Sequence, residues 1–217
     1  PQGHATDVQA LRLTGLFDRP ASADCLAALR RAPAIPGLTD ALVPLNDDAW
    51  NAVLLRLHEA HLIQLRFPPV VAGSFAPRPE PCQVTLDAHP LIREYFAKQL
   101  RERQPEAFQA AHSRLFEHLC QSTEHRPETL EGLQPLYQAV VHGCLAGRQQ
   151  EACDRVYFDR ILRGGESYST KKLGAIGADL GAVAAFFDPP WSRLSPNLSE
   201  PDQASLLNQA AFYLRAL

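Results

Sequence analysis

Methionine is absent from all 217 residues, and tryptophan occurs only twice. The missing start residue, together with a stop at Leu217 inside an apolar-periodic stretch, marks the chain as an expected excised piece of a larger protein. No run of about 18 apolar residues is present, so no membrane span is expected. Pro1 to Thr6 lack the apolar core of a signal peptide. No Cys-x-x-Cys pair occurs among Cys25, Cys82, Cys120, Cys144 and Cys153, which excludes a zinc knuckle and argues against a disulfide framework. Such scattered cysteines read as small buried residues of a reducing compartment, and hence of the cytoplasm. An excess of charge is also missing. Lys and Arg number 21 against 24 Asp and Glu, a net charge of −3 with both signs interspersed. That balance offers no electrostatic reason to expect nucleic acid or an anionic membrane as partner.

What the chain does contain is helical periodicity. The apolar fraction of 46% is enough for one large or two small cores. Val8, Leu11, Leu16 and Phe17 make an opening helix, broken by Asp18-Arg19-Pro20. Ser22 is placed to cap a second, with Leu26 and Leu29 inward, ended by Pro33, Pro36 and Gly37 and followed by a brief turn at Leu38-Thr39-Asp40. After Asn46 or Asp47 as cap, Trp50, Val53, Leu54 and Leu57 fall at helical spacing. The period then changes to two. Ile63, Leu65 and Phe67 alternate with Gln64 and Arg66, and Cys82, Val84 and Leu86 with Gln83, Thr85 and Asp87. Two alternating runs around the turn-rich stretch Pro68 to Pro81 make a β-hairpin. Pro90 suits a first helical position, which makes His89 the cap of a helix with Ile92, Tyr95 and Phe96 inward. Three helices, a two-stranded wing and a closing helix form a winged-helix domain over 1–103.

From Pro105 the chain reads as helix after helix, an α-helical hairpin array over 104–217 that is truncated at its C-terminus. Phe108, Ala111, His112, Leu115, Phe116 and Leu119 share one face, and Leu133, Leu136, Tyr137, Val140, Val141 and Cys144 share another. A partner helix begins near Gln150 with Cys153, Val156, Tyr157 and Ile161. One continuous helix is expected from Leu173 to Phe187, and a last one places Leu207, Ala210, Ala211 and Leu214 on one face. Gly147 and Ala152, five apart, match part of the tetratricopeptide signature, in which small residues let the two helices of a hairpin approach closely. A scaffold of that kind binds a protein or peptide on its concave face. The fold class expected is therefore mainly α.

Few constellations carry chemistry. His58 and His61 lie three apart beside Glu59, without a third metal ligand and short of His-Glu-x-x-His. His112 and His118, six apart, face different directions on one helix. Gly164-Gly165-Glu166-Ser167-Tyr168 is neither a nucleophile elbow nor a phosphate loop. Lys171-Lys172 is a solvated basic patch. No nucleophile, base and oxyanion site assemble, so the chain is read as no enzyme, with no catalytic and no metal-binding residues. A DNA-binding regulator with a helical sensing domain is a competing reading. However, the helix before the wing opens with Asp47 and Asp48 and carries only Arg56, a composition that repels phosphate.

The stretch Leu86-Asp87-Ala88-His89-Pro90-Leu91-Ile92-Arg93-Glu94-Tyr95-Phe96 resembles the end of the winged-helix subdomain in signal-transducing ATPases with numerous domains, the NB-ARC and NACHT (STAND) class. Leu11 to Pro20 and Leu136 to Ala152 are similar to other segments of bacterial members. In that class a Met-His-Asp motif stands at this position, and its histidine contacts the β-phosphate of ADP. The resemblance carries over to His89 alone as a cofactor-binding residue, because Ala88 and Pro90 replace the flanking methionine and aspartate. It implies a regulatory and sensor fragment with no cofactor of its own. ADP or ATP would be held by the full-length protein, on an upstream nucleotide-binding domain as partner, and the helical array would sense a protein or ligand trigger. A plain interaction scaffold, in which His89 has no nucleotide role, is the third reading.

Overall fold

The computed structural model describes residues 2–66 and 85–216. They are mainly helical, with one small antiparallel sheet of two strands. The chain divides into two compact units, 1–111 and 112–217, with the division falling inside a helix. Phe67, the loop from Pro68 to Pro81, Cys82 and Val84 lie outside the described residues.

In the first unit, α1 (Gln2–Thr14) packs against α3 (Asp47–Glu59) and α4 (Pro90–Arg103). The inward face of α1 is Ala10, Leu11 and Leu13; Val8, expected with them, is exposed. Gly15 follows the helix where the chain passes the α4 backbone. A Cβ there would sit 2.5 Å from the Ala97 nitrogen, so only glycine fits. Between α1 and α2 (Ala23–Leu29), Ala21 exchanges both backbone bonds with Leu86, at 2.7 and 2.9 Å. Ser22 occupies the cap position of α2 without a side-chain bond to it. The segment from Pro36 to Leu45 is a series of turns rather than a regular helix, yet it delivers Leu38 and Leu42 to the core. Asn46, not Asp47, caps α3, its side chain accepting the Ala49 N–H at 2.9 Å.

Strands β1 (Ile63–Arg66) and β2 (Thr85–Ala88) pair with Ile63 opposite Ala88 and Leu65 opposite Leu86. The alternation holds: Ile63, Leu86 and Ala88 are buried while Gln64 and Arg66 face out. Leu86 spends its N–H and C=O on Ala21, so they point away from β1. Ala21 therefore lies on the far edge of β2 as an isolated β-bridge. On α4 the buried end is Leu100, and Tyr95, expected inward, is exposed.

Helix α5 (Pro105–Ser122) carries the division between the units. The second unit continues with α6 (Leu130–Leu145), capped by the Thr129 hydroxyl, and α7 (Gln149–Glu151), which runs into a π-helix over Ala152–Leu162. Between α6 and α7 the Arg148 N–H bonds the Gly143 carbonyl and the Gly147 N–H bonds the Cys144 carbonyl, closing α6 with Gly147 at φ +78°. The close helix approach expected of Gly147 and Ala152 belongs instead to Gly143. A Cβ on Gly143 would lie 2.8 Å from that of Ala152, whereas one on Gly147 meets nothing within 4 Å. Gly147 is thus needed for its backbone conformation, Gly143 for its lack of bulk.

The single helix expected from Leu173 to Phe187 is two: α8 (Tyr168–Leu173) and α9 (Ile176–Ala184). Gly174, at φ +64°, breaks the run between them. The last helix, α10 (Glu200–Ala216), buries Leu206, Ala210 and Tyr213; Leu207 and Leu214, read as its apolar face, are exposed. No helix among the described residues is long and apolar enough to cross a membrane.

Candidate functional site

His89 is exposed and stands at the N-cap of α4, where its Nδ1 accepts the Leu91 N–H at 3.3 Å. A ring nitrogen that accepts carries no proton, so the neutral imidazole bears its hydrogen on Nε2. The helix start itself has no free donor to offer an anion. Pro90 lacks an N–H, Leu91 is taken by the His89 ring, and Ile92 and Arg93 both bond the His89 carbonyl. Asp87 lies between Arg66, at 2.9 Å, and Arg93, at 3.4 Å, which ties α4 to the hairpin.

His58 and His61 do not converge. His58 Nδ1 lies 3.2 Å from the Ile63 carbonyl, and His61 closes α3 in the left-handed region at φ +57°. His61 there does the work more often given to glycine, its N–H bonding the His58 carbonyl while the Leu62 N–H bonds that of Leu57. Arg56, the single basic residue of α3 before His58, is paired with Asp7 at 2.6 Å.

The second unit holds two buried polar groups that spacing along the chain did not bring together. His112 on α5 meets His142 on α6, Nδ1 to Nδ1 at 2.9 Å, with both rings buried. One ring must donate and the other accept, so the pair shares a single N–H. The more extensive group surrounds Asp179 of α9, which is fully buried. Its Oδ1 accepts the Tyr137 hydroxyl at 2.8 Å, and its Oδ2 accepts Ser169 at 2.9 Å and Thr170 at 2.8 Å. Thr170 lies 3.3 Å from the Tyr213 hydroxyl, which in turn lies 3.2 Å from that of Tyr157. Five hydroxyls from α6, the π-helix, α8 and α10 thus converge on one carboxyl of α9. Burial raises the Asp179 pKa above the ordinary carboxyl value, against the opposing pull of the hydroxyl bonds. Burial likewise raises the Tyr137 pKa, with the adjacent carboxylate adding to it. The only signal in the sequence was weak, an aspartate among the apolar positions of α9.

Arg160 of the π-helix clamps the end of α5 and the loop beyond it. Its guanidinium donates to the carbonyls of Cys120, Thr123, Glu124 and His125 at 2.9–3.0 Å. These carbonyls include ones that a helix C-terminus leaves without intrahelical partners. Cys153, Asp154 and Asp202 bring three potential metal-ligand atoms within 4.8 Å of one another. The Gln150 amide already bridges the two carboxylates, at 2.8 and 2.7 Å, and burial raises the Cys153 thiol well above its ordinary value. Gln150 thereby joins the start of α7, the π-helix and α10 through hydrogen bonds. Cys25, Cys120, Cys144 and Cys153 are free thiols, and Cys25 is pushed up to about 11 by burial.

No family model, curated protein or solved structure matches this chain.

Proposed function

We propose that the chain is a non-catalytic regulatory and sensor module of a cytoplasmic signalling ATPase of the STAND class. In this reading residues 1–103 are its winged helix and the helical hairpins that follow are of the tetratricopeptide type. The observation that carries the reading is the arrangement around β2. A helix, an isolated β-bridge at Ala21, two helices and a hairpin follow in order, with Ala21 and β1 on opposite edges of β2. That order supports a winged helix, and His89 follows directly at the mouth of the closing helix. With Nδ1 held by its own helix, the Nε2–H of His89 is the donor available to a phosphate oxygen. Because the backbone donors beside it are spent, the contact to ADP runs through the ring alone. Nucleotide binding by the chain in isolation is accordingly feeble.

The alternative, a DNA-binding regulator, draws less support. Arg56 is engaged by Asp7, and Asp47 and Asp48 open α3. The test has two parts. The reading frame that encodes this chain should also encode a Gly-x-x-x-x-Gly-Lys-Ser/Thr loop, and the full-length protein should lose its retained ADP on His89→Ala. A reading frame without that loop, or ATP turnover by the purified chain, would overturn the proposal.

A further inference from the structure

Helices α8 and α10 form the walls of a groove of about 320 Å³, lined by Ser167, Thr170, Lys171, Asn208, Gln209 and Phe212. That volume suits a small organic molecule. The chemistry of the lining is one-sided. Lys171 is the one ionic group, no acid lines the groove, and Lys171 makes no ion pair among the described residues. Two carboxamides and the Ser167 hydroxyl supply further donors. Beside Asn208 and Gln209 on the same stretch of α10, Phe212 is 54% exposed, with its ring edge-on to that of Tyr213 at 5.6 Å. A half-exposed aromatic ring beside a cation and two amides matches a flat apolar body with an anionic end. The inner wall is anchored. Thr170 lines the groove and donates to buried Asp179, so its side chain is held in place before any ligand arrives.

We propose that this groove binds a small aromatic carboxylate, its carboxylate on Lys171 with the Asn208 and Gln209 amides, and its ring on Phe212. The proposal deepens the sensor reading by giving the second unit a chemical class of trigger, and it rests on that reading only for its biological purpose. The binding chemistry stands or falls by itself.

The test is a backbone amide NMR titration of the 217-residue chain with three probes: naphthalene-2-carboxylate, the uncharged naphthalene-2-carboxamide and acetate. The carboxylate is expected to give saturable shifts at Thr170, Lys171, Asn208, Gln209 and Phe212. It should bind about fivefold tighter than the carboxamide, the size expected of one solvent-exposed ionic contact. Acetate, without a ring, should bind at least about tenfold more weakly. Lys171→Met should reduce the carboxylate to the affinity of the carboxamide, while Lys172→Met should leave it unchanged. Phe212→Ala should weaken both ring-bearing probes. Equal affinity of carboxylate and carboxamide, shifts centred outside the groove, or no saturation would each overturn the proposal. No nucleotide enters the experiment, so its failure leaves the His89 reading standing, and loss of the His89 reading leaves the groove.

Discussion

Replacing Asp179 with alanine takes away the shared acceptor of the Tyr137, Ser169 and Thr170 hydroxyls. Tyr137 and Ser169 are buried, so their hydroxyls are shut off from bulk solvent, whereas Thr170 is half-buried. A buried hydroxyl left without an acceptor costs about 1–3 kcal/mol, so two of them cost about 2–6 kcal/mol. Asp179→Asn behaves differently. The amide keeps the volume and one acceptor oxygen, which Tyr137 can still use. On the other side Ser169 and Thr170 must accept rather than donate, and Thr170 can pass its proton toward Tyr213. The expected loss is about 1 kcal/mol near neutral pH. The pH dependence follows from the raised Asp179 pKa. The folded state binds this proton more readily than the unfolded state. The associated stability is therefore fully present below the unfolded pKa and is lost as pH rises through the folded one. Asparagine does not titrate. Acidification from about pH 7.5 to about pH 4.5 should thus shift the stability difference between the two proteins in favour of the one that keeps Asp179. Urea unfolding followed by Trp191 fluorescence in a Trp50→Phe background confines the reading to the second unit, where Trp191 stands 5.3 Å from Phe187. A loss under about 1 kcal/mol for Asp179→Ala would show that the network does not hold the helices together. A stability gap between the parent chain and its Asp179→Asn variant that ignores pH would refute the buried-charge argument.

Two further predictions separate bulk from backbone conformation. Gly143→Ala should cost about 1–3 kcal/mol by overpacking against Ala152 and Phe116, and Ala152→Gly should recover part of it. Gly147→Ala should cost about 1 kcal/mol through its left-handed backbone, with no recovery from Ala152→Gly, both read by urea titration. His61→Gly, at φ +57°, should raise the melting temperature of the first unit, corresponding to about 0.5–1 kcal/mol; an unchanged or lower value would count against strain at that turn.

Much of the first unit was legible because its signals are local. Asn46 caps α3, Pro90 opens α4 behind His89, and the period-two run from Ile63 places Gln64 and Arg66 outward. What failed was the choice between neighbouring apolar positions. Tyr95 and Leu207 sit one residue from the true inward faces, and a helix pattern that tolerates either cannot decide which one meets a partner. The break at Gly174 was hidden because apolar residues resume at the same spacing on its far side. The His112–His142 pair and the Asp179 cluster were not legible at all. Their bonded members stand 30 and up to 56 residues apart, and only the packing of helices brings them together.

The π-helix shows why periodicity alone falls short here. Cys153, Val156, Tyr157 and Ile161 keep a spacing that an α-helix would also satisfy, so the sequence raises no objection to about 3.6 residues per turn. The wider helix turns less per residue than the roughly 100° of an α-helix. Residues three apart, about 60° from alignment in an α-helix, are splayed further in the π form. Tyr157 and Arg160 are such a pair, and they serve different partners. Tyr157 reaches the Tyr213 hydroxyl of α10, while Arg160 reaches four carbonyls at the end of α5 and beyond. An α-helical register would narrow the angle between these two side chains and bring them toward one partner at the expense of the other. The widened helix is therefore held from outside, by the hydroxyl network on one flank and the arginine clamp on the other. Its cause lies in contacts 35 to 56 residues away along the chain rather than in its own eleven residues.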